Sequence, residues 1–381
     1  MKPFDLSKFK KETTKNLSSI SSGFRDPSFW IDTGNYVLNY ITSGDFEKGM
    51  PLDGKFNLLV GPSGTGKSLL SFGVMGKYCQ DHGVQIILLD TENAVDKQWG
   101  ENFGLNLEDE SKIVRFSVST LDDIAAIISG FVTEYKNSYK DTPYEEKPRI
   151  LFIIDSLGMA TTKVEQDQFN DGDMKGDMGR KPKQLFSLCR NFLASCADEP
   201  IGVIATNHTY ASQSIFKPED VIAGGGSMEY APSIIVALQK SKLKDEENKG
   251  KEKKKDVIGI QVDATCRKTR YTKPFQKATF NIPWDSGLQK YSGLFELFTE
   301  TLRYKGNPVI QKNGSYCVYY DLKTGEQIWN KYRKDITNED FNRIMKDWKE
   351  VMETDSSNTD TTNIMEGMEE ASTDKKKKKE V

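Results

Sequence analysis

Residues 61–68 read GPSGTGKS, a complete G-x-x-x-x-G-K-[ST] run set between the apolar segment FNLLV and the apolar, helix-like LLSFGVMGKY. No other feature restricts the fold as tightly, because the run needs a strand before it and a helix after it. Gly61, Gly64 and Gly66 allow backbone N–H groups to turn inward around phosphate oxygens, with Pro62, Ser63 and Thr65 completing the loop. The helix start adds partial positive charge. Lys67 is expected to reach the β- and γ-phosphates of ATP, and Ser68 to hold Mg²⁺ through its hydroxyl.

The rest of the chain supplies the sheet that such a loop requires. Short aliphatic runs recur at 56–61, 84–90, 112–117, 149–155, 201–207 and 233–239, bounded by polar residues or glycine, as in strands buried on both faces. Helical patterns at 121–139 and 183–197 lie between them. This alternation predicts an α/β fold with a mainly parallel sheet. A short, polar and mildly amphipathic arm (1–30) carries Phe4, Leu6 and Phe9 at roughly helical spacing. It is expected to dock on a neighbouring subunit, a frayed solvated terminus being the alternative, and it precedes the core (31–291). A small α+β unit (292–350) follows, with a hairpin pattern and a final helix, and then a charged, disordered tail (351–381). Segment 242–255, almost wholly charged, reads as a solvated hairpin tip.

Two carboxylates stand at strand ends. Asp155 closes RILFIID, where P-loop enzymes place a second Mg²⁺-organising group; a helix N-cap is the compatible alternative. Glu92 follows VQIILLD, facing the same crevice in a parallel sheet, where it can orient and deprotonate an attacking water. From the residues alone, an exposed loop glutamate fits equally well.

Composition narrows the partners. With a formal net charge of -3, any nucleic-acid affinity must come from local basic surface. Five scattered cysteines without C-x-x-C spacing and only two histidines argue against a zinc site and suit a reducing compartment. No apolar run approaches the ~20 residues that span a bilayer, and the N-terminus lacks a signal peptide's apolar stretch. The expectation is a cytoplasmic protein with no membrane partner.

In order, GPSGTGKS, LDTENAVDKQWGENFG, LFIIDSLG, ATNHTY, GGGS and RKTRYTKPF resemble the RecA family, and most nearly its tailed-phage branch, the UvsX-type recombinases. The similarity runs from about residue 25 to 295. It implies a RecA-like ATPase core that assembles as a helical filament on single-stranded DNA and exchanges strands with homologous duplex DNA. A single-strand-binding protein and a loading mediator are the further partners implied. By the resemblance, Glu92 is the water-activating glutamate, Trp99 stacks on adenine and Asp96 sits beside the base. Plain helix packing is the other reading of Trp99.

His208 stands where cellular RecA proteins carry a glutamine between the γ-phosphate and a DNA loop. A buried structural histidine is the alternative. Because histidine gains a donor on protonation, coupling of ATP to DNA is expected to vary with pH near neutrality. Lys268 and Arg270 alternate along RKTRYTKPF, and by themselves read as a solvated strand face. The resemblance makes them cations that reach a neighbouring subunit's γ-phosphate.

Two stretches, 159–184 and 210–227, have the length and composition of mobile loops. By the resemblance, Met178, Gly179, Lys183 and Arg190 contact DNA from the first, and Gly224, Gly225 and Gly226 from the second. Generic surface loops are the bland reading of both. Three competing functions share parts of this pattern: a ring helicase, a non-catalytic nucleotide-gated DNA-binding scaffold, and a small-molecule kinase. The DTENAV and NHTY–GGGS combination disfavours the first, the intact set Lys67, Ser68, Glu92 and Asp155 the second, and the lack of an arginine-rich lid segment the third.

Overall fold

The computed structural model describes residues 4–16, 26–173, 179–210, 220–244 and 256–358. The chain divides into one unit ending at Ser292 and a second beginning at Gly293.

The first unit is built on strands β1 (Phe56–Val60), β2 (Gln85–Asp90), β3 (Ile113–Ser117), β4 (Ile150–Asp155), β5 (Ile201–Asn207), β6 (Ile234–Lys244), β7 (Val257–Lys268) and β8 (Lys277–Pro283). Their order across the sheet is β8-β7-β6-β1-β5-β4-β2-β3. From β6 to β3 every pairing is parallel, while β6–β7 and β7–β8 are antiparallel. The expected α/β, mainly parallel architecture is therefore present.

Two helices precede this sheet. Leu6–Asn16 of the N-terminal arm forms α1, with Phe4, Leu6 and Phe9 all more than half exposed. Tyr36–Ser43 forms α2, which Asn35 caps by accepting from Leu38 N–H at 2.9 Å.

Central strands β1, β4 and β5 are buried along their whole length, which is why they read as unbroken aliphatic runs. One face receives the helix after the glycine-rich loop, α3, wound at π pitch over Leu69–Gly76 and at α pitch over Lys77–Asp81. A Cβ at Gly76 would sit 3.5 Å from Ile153 Cδ1 and 3.8 Å from Ile86 Cδ1, so this helix lies close on the sheet. A short helix, α4 (Lys97–Asn102), follows β2. On the other face Phe152, Ile154, Leu58 and Val203 join a core completed by α5 (Leu121–Ser138) and α7 (Arg180–Cys196).

Three further expectations need correction. The first loop, 159–184, is partly helical: α6 (Lys163–Asn170) begins with a Thr162–Glu165 capping box, and α7 starts at Arg180 rather than 183. Strand β7 stops at Lys268, so Arg270 lies in a bend beyond it and the alternating-strand argument fails for the pair. The final helix, α8 (Asn338–Asn358), runs past the expected boundary at 350. Residues 245–255 of the expected hairpin tip and 359–381 of the tail lie outside the described residues.

The second unit has a three-stranded antiparallel sheet, β9 (Ile310–Asn313), β10 (Tyr316–Tyr320) and β11 (Gln327–Tyr332), with α8. Tyr319 donates to Asp347 of α8 at 2.7 Å and Lys331 pairs with Asp340 at 2.7 Å, both tying the sheet to this helix. Among the described residues, no helix is long and apolar enough to cross a membrane.

All five cysteines are free and buried. Burial pushes the Cys189, Cys196 and Cys266 thiols up to about 12, and raises Cys79 as well. Thiolate, the reactive form, is therefore scarce as well as shielded. Ellman's reagent is expected to find no fast-reacting thiol in the native protein and five after unfolding. A native thiol that reacts within seconds would contradict this packing.

Candidate nucleotide site

The loop 61–68 leaves β1 at the carboxyl edge of the sheet. Gly64 and Gly66 take φ of 71° and 87°, values that side-chain-bearing residues rarely adopt. The loop's outer turn is held from β6, where Lys240 Nζ donates to the Ser63 carbonyl at 2.8 Å. Lys67 is buried and its Nζ donates to the carbonyls of Gly61 and Pro62, each at 2.9 Å. Burial is the largest influence on this amine and lowers its pKa, against the raising pull of Asp155 and Glu92.

Asp155, at the end of β4, is 5% exposed. Ser68 and the Thr206 hydroxyl both hydrogen-bond its carboxylate. Desolvation raises its pKa and outweighs the lowering effect of these bonds, so the net shift is upward. A buried carboxylate in that condition favours an added cation. Among the described residues, no group of three or more His, Cys, Asp or Glu could hold a metal on its own. The donor set, one hydroxyl and one carboxylate beside a phosphate cradle, fits Mg²⁺ that takes its remaining ligands from phosphate and water.

Glu92 sits past β2 in a loop wrapped around Asp90. Asp90 accepts from the backbone N–H of Glu92 at 3.2 Å and of Val95 at 3.4 Å, and from Arg115 at 2.7 Å. Glu92 Oε1 receives the Ser156 hydroxyl at 2.7 Å and lies 3.1 Å from His208 Nε2. His208 is part-exposed and faces this carboxylate, so it is not a core histidine. Its carbonyl accepts from Ala223 N–H at 2.9 Å, and the adjacent Asn207 side chain donates to the Ala223 carbonyl at 2.8 Å. Asn207 also accepts, through its backbone carbonyl, from Gly61 N–H at 3.2 Å.

Sequence reasoning passed over Asp90, Arg115, Ser156 and Asn207. An aspartate ending an aliphatic strand was the signal that could have found Asp90, as it found Asp155. Arg115 supplies the cation that pairs with the buried Asp90 carboxylate, so Arg115→Met is expected to destabilise the fold by about 2 kcal/mol. Urea unfolding would measure this; an unchanged midpoint would mean that Asp90 does not depend on the guanidinium.

Other expected site residues lie elsewhere. Asp96 caps α4, accepting from Trp99 N–H at 2.7 Å. Trp99 stacks on Phe72 of α3, with centroids 5.9 Å apart and planes at 12°, so in this structure it packs against the helix. Lys268 Nζ donates to the carbonyls of Glu229, at 3.0 Å, and Tyr230. Arg270 is exposed.

Met178 lies outside the described residues, as do 211–219 of the second loop. Gly179, at φ 81°, caps the start of α7, and Lys183 and Arg190 are exposed about two turns apart along that helix. Gly224 has φ 94°, and a Cβ there would meet Leu185 Cδ1 of α7 at 2.5 Å. Gly225, at φ 77°, and Gly226 follow in the same turn. The described ends of the two loops thus meet at the start of α7.

No family model matches the chain. Among curated proteins, it is 25% identical over 322 residues to the recombination and repair protein of Enterobacteria phage T4, covering 84% of this chain and 75% of that protein. It is 25% identical over 279 residues to a mitochondrial DNA repair protein recA homolog of Dictyostelium discoideum, covering 72% of this chain and 54% of that one. Against Protein RecA of Cereibacter sphaeroides it is 24% identical over 282 residues, 73% of this chain and 72% of the relative.

Proposed function

For a chain similar to RecA-family proteins over most of its length, we propose the function of an ATP-dependent recombinase. It forms filaments on single-stranded DNA and pairs that strand with homologous duplex. One observation carries the reading: Glu92, beside the phosphate site, contacts His208, whose backbone carbonyl accepts from Ala223 N–H just before the glycines of the second loop.

The phosphate loop, Gly61 to Ser68, cradles the triphosphate. Lys67 turns from its two carbonyls to the β- and γ-phosphates. Ser68 and Asp155 would hold Mg²⁺, which would supply charge neutralisation at those phosphates. Glu92 orients a water and takes its proton as the water oxygen bonds the γ-phosphorus. The bond from that phosphorus to the β–γ bridging oxygen breaks, and ADP leaves with the electron pair. Lys268 and Arg270 act on a neighbouring subunit's phosphates, which makes turnover depend on assembly. For Lys268 this means exchanging its contacts with Glu229 and Tyr230 for intersubunit ones.

Trp99 and Asp96 lie on the adenine side. Met178, Gly179, Lys183, Arg190 and Gly224 to Gly226 form the DNA path, in which weak footprints add along a filament. The arm, 1–30, docks its apolar residues on the core, 31–291, of the next subunit, and the unit from Gly293 to the end of α8 is a separate small domain.

The test is strand exchange between circular single-stranded DNA and linear duplex in the presence of ATP. Joint molecules that form only with homologous pairs are expected. Displacement of a strand from a fork, indifferent to homology, would instead indicate a helicase.

A further inference from the structure

Ser156 follows the Mg²⁺-organising aspartate and is fully buried. Its backbone is already engaged with Thr91: Ser156 N–H donates to Thr91 Oγ1 at 2.8 Å, and the Thr91 hydroxyl lies 2.8 Å from the Ser156 carbonyl. Thr91 N–H donates to the Asp155 carbonyl at 2.8 Å, so the ends of β2 and β4 are pinned together. None of these bonds uses the Ser156 hydroxyl. That hydroxyl lies 2.7 Å from Glu92 Oε1 and 3.4 Å from His208 Nε2.

Glu92 has few other constraints. Its side chain is 32% exposed and it stands in a loop where the next residue, Asn93, has φ 51°. Ser156 and His208 both engage it at Oε1. Of the two, Ser156 has the buried, rigid backing, whereas His208 is part-exposed.

We propose that the Ser156 hydroxyl is the positioning group for Glu92, anchoring Oε1 so that Oε2 is presented to the attacking water. The inference rests on Glu92 being the water-activating base. It extends that reading to a buried residue that serves Glu92, and separates the anchoring of the base from its chemistry. A carboxylate tethered at one oxygen keeps a narrow range of orientations, and misplacement of a base by about an ångström costs rate rather than substrate affinity.

Ser156→Ala is expected to lower kcat about 10–100-fold, as loss of a hydrogen bond to a charged group implies, with KM for ATP within about threefold of wild type. The same substitution in a Glu92→Gln background should cost no more than about twofold further, since the carboxylate it serves is gone. ADP binding at wild-type strength shows that the variant is folded. Should it not bind, Ser156→Cys, nearly isosteric but a weaker donor, replaces it, with a smaller loss of kcat at unchanged KM. Wild-type kcat in Ser156→Ala, or in Ser156→Cys if that variant is used, alongside an inactive Glu92→Gln overturns the proposal and spares the reading of Glu92. An equal loss in both backgrounds also overturns it, because the hydroxyl then serves something other than Glu92. Near-normal turnover in Glu92→Gln alone removes the base itself, and this inference with it.

Discussion

Glu92→Gln is expected to reduce ATP turnover by about 10²–10⁴-fold, the range that general-base catalysis supplies, while nucleotide affinity stays within about threefold. Glutamine preserves the size of the side chain and an oxygen to accept from Ser156 and His208, so the local bonds can persist. What it loses is the capacity to take a proton. Single-turnover hydrolysis, measured beside equilibrium binding of a fluorescent ADP, separates the two effects. Turnover within about tenfold of wild type would move the base elsewhere. A parallel loss of binding would make Glu92 a structural residue.

Asp155→Asn should have two effects of opposite sign. Turnover is expected to fall by about 10²–10³-fold, the scale seen when a preorganised electrostatic contact is removed, because the carboxylate beside Ser68 would no longer organise Mg²⁺. Stability without nucleotide should rise. Burial holds the Asp155 pKa above its ordinary value, so the fold disfavours the ionised form. A carboxyl with a raised folded pKa favours the fold fully only below its unfolded value of about 3.9. That contribution is lost as pH rises through the folded pKa. At neutral pH the wild type therefore bears a destabilising charge that asparagine lacks. Calorimetry of the nucleotide-free proteins should find the variant melting about one to two degrees higher near pH 7, the shift that ~1 kcal/mol produces at this chain length. The gap should narrow as pH falls toward about 4. A lower Tm at neutral pH would show that the bonds from Ser68 and Thr206 outweigh desolvation.

What could be read in the residues follows the range of the forces involved. The glycine-rich loop, the aliphatic strands and Asp155 are local patterns, and the sheet places them as their neighbours in sequence imply. The strand at Lys268 ends where no pattern marks it: the alternation of Lys268 and Arg270 continues in sequence after the ladder with Gln276 and Lys277 has closed. Segment 163–170 reads as loop because it is largely polar, yet Thr162 and Glu165 supply both halves of a capping box that starts a helix. Ser156 and Glu92 are 64 positions apart, and Arg115 and Asp90 are 25 apart. Such pairs exist only once the strands are in order, and no spacing rule along one chain reveals them. Trp99 is legible as an aromatic in a useful place, but its packing on Phe72 depends on how closely α3 approaches.

The central claim, that hydrolysis at this site answers to DNA through assembly, meets its most direct test in one experiment. ATP hydrolysis would be measured with and without single-stranded DNA across a range of protein concentration. Turnover that DNA stimulates strongly, and that rises more steeply than linearly with protein, is the predicted result. Turnover indifferent to DNA at every concentration would contradict it and leave an ATPase of another kind.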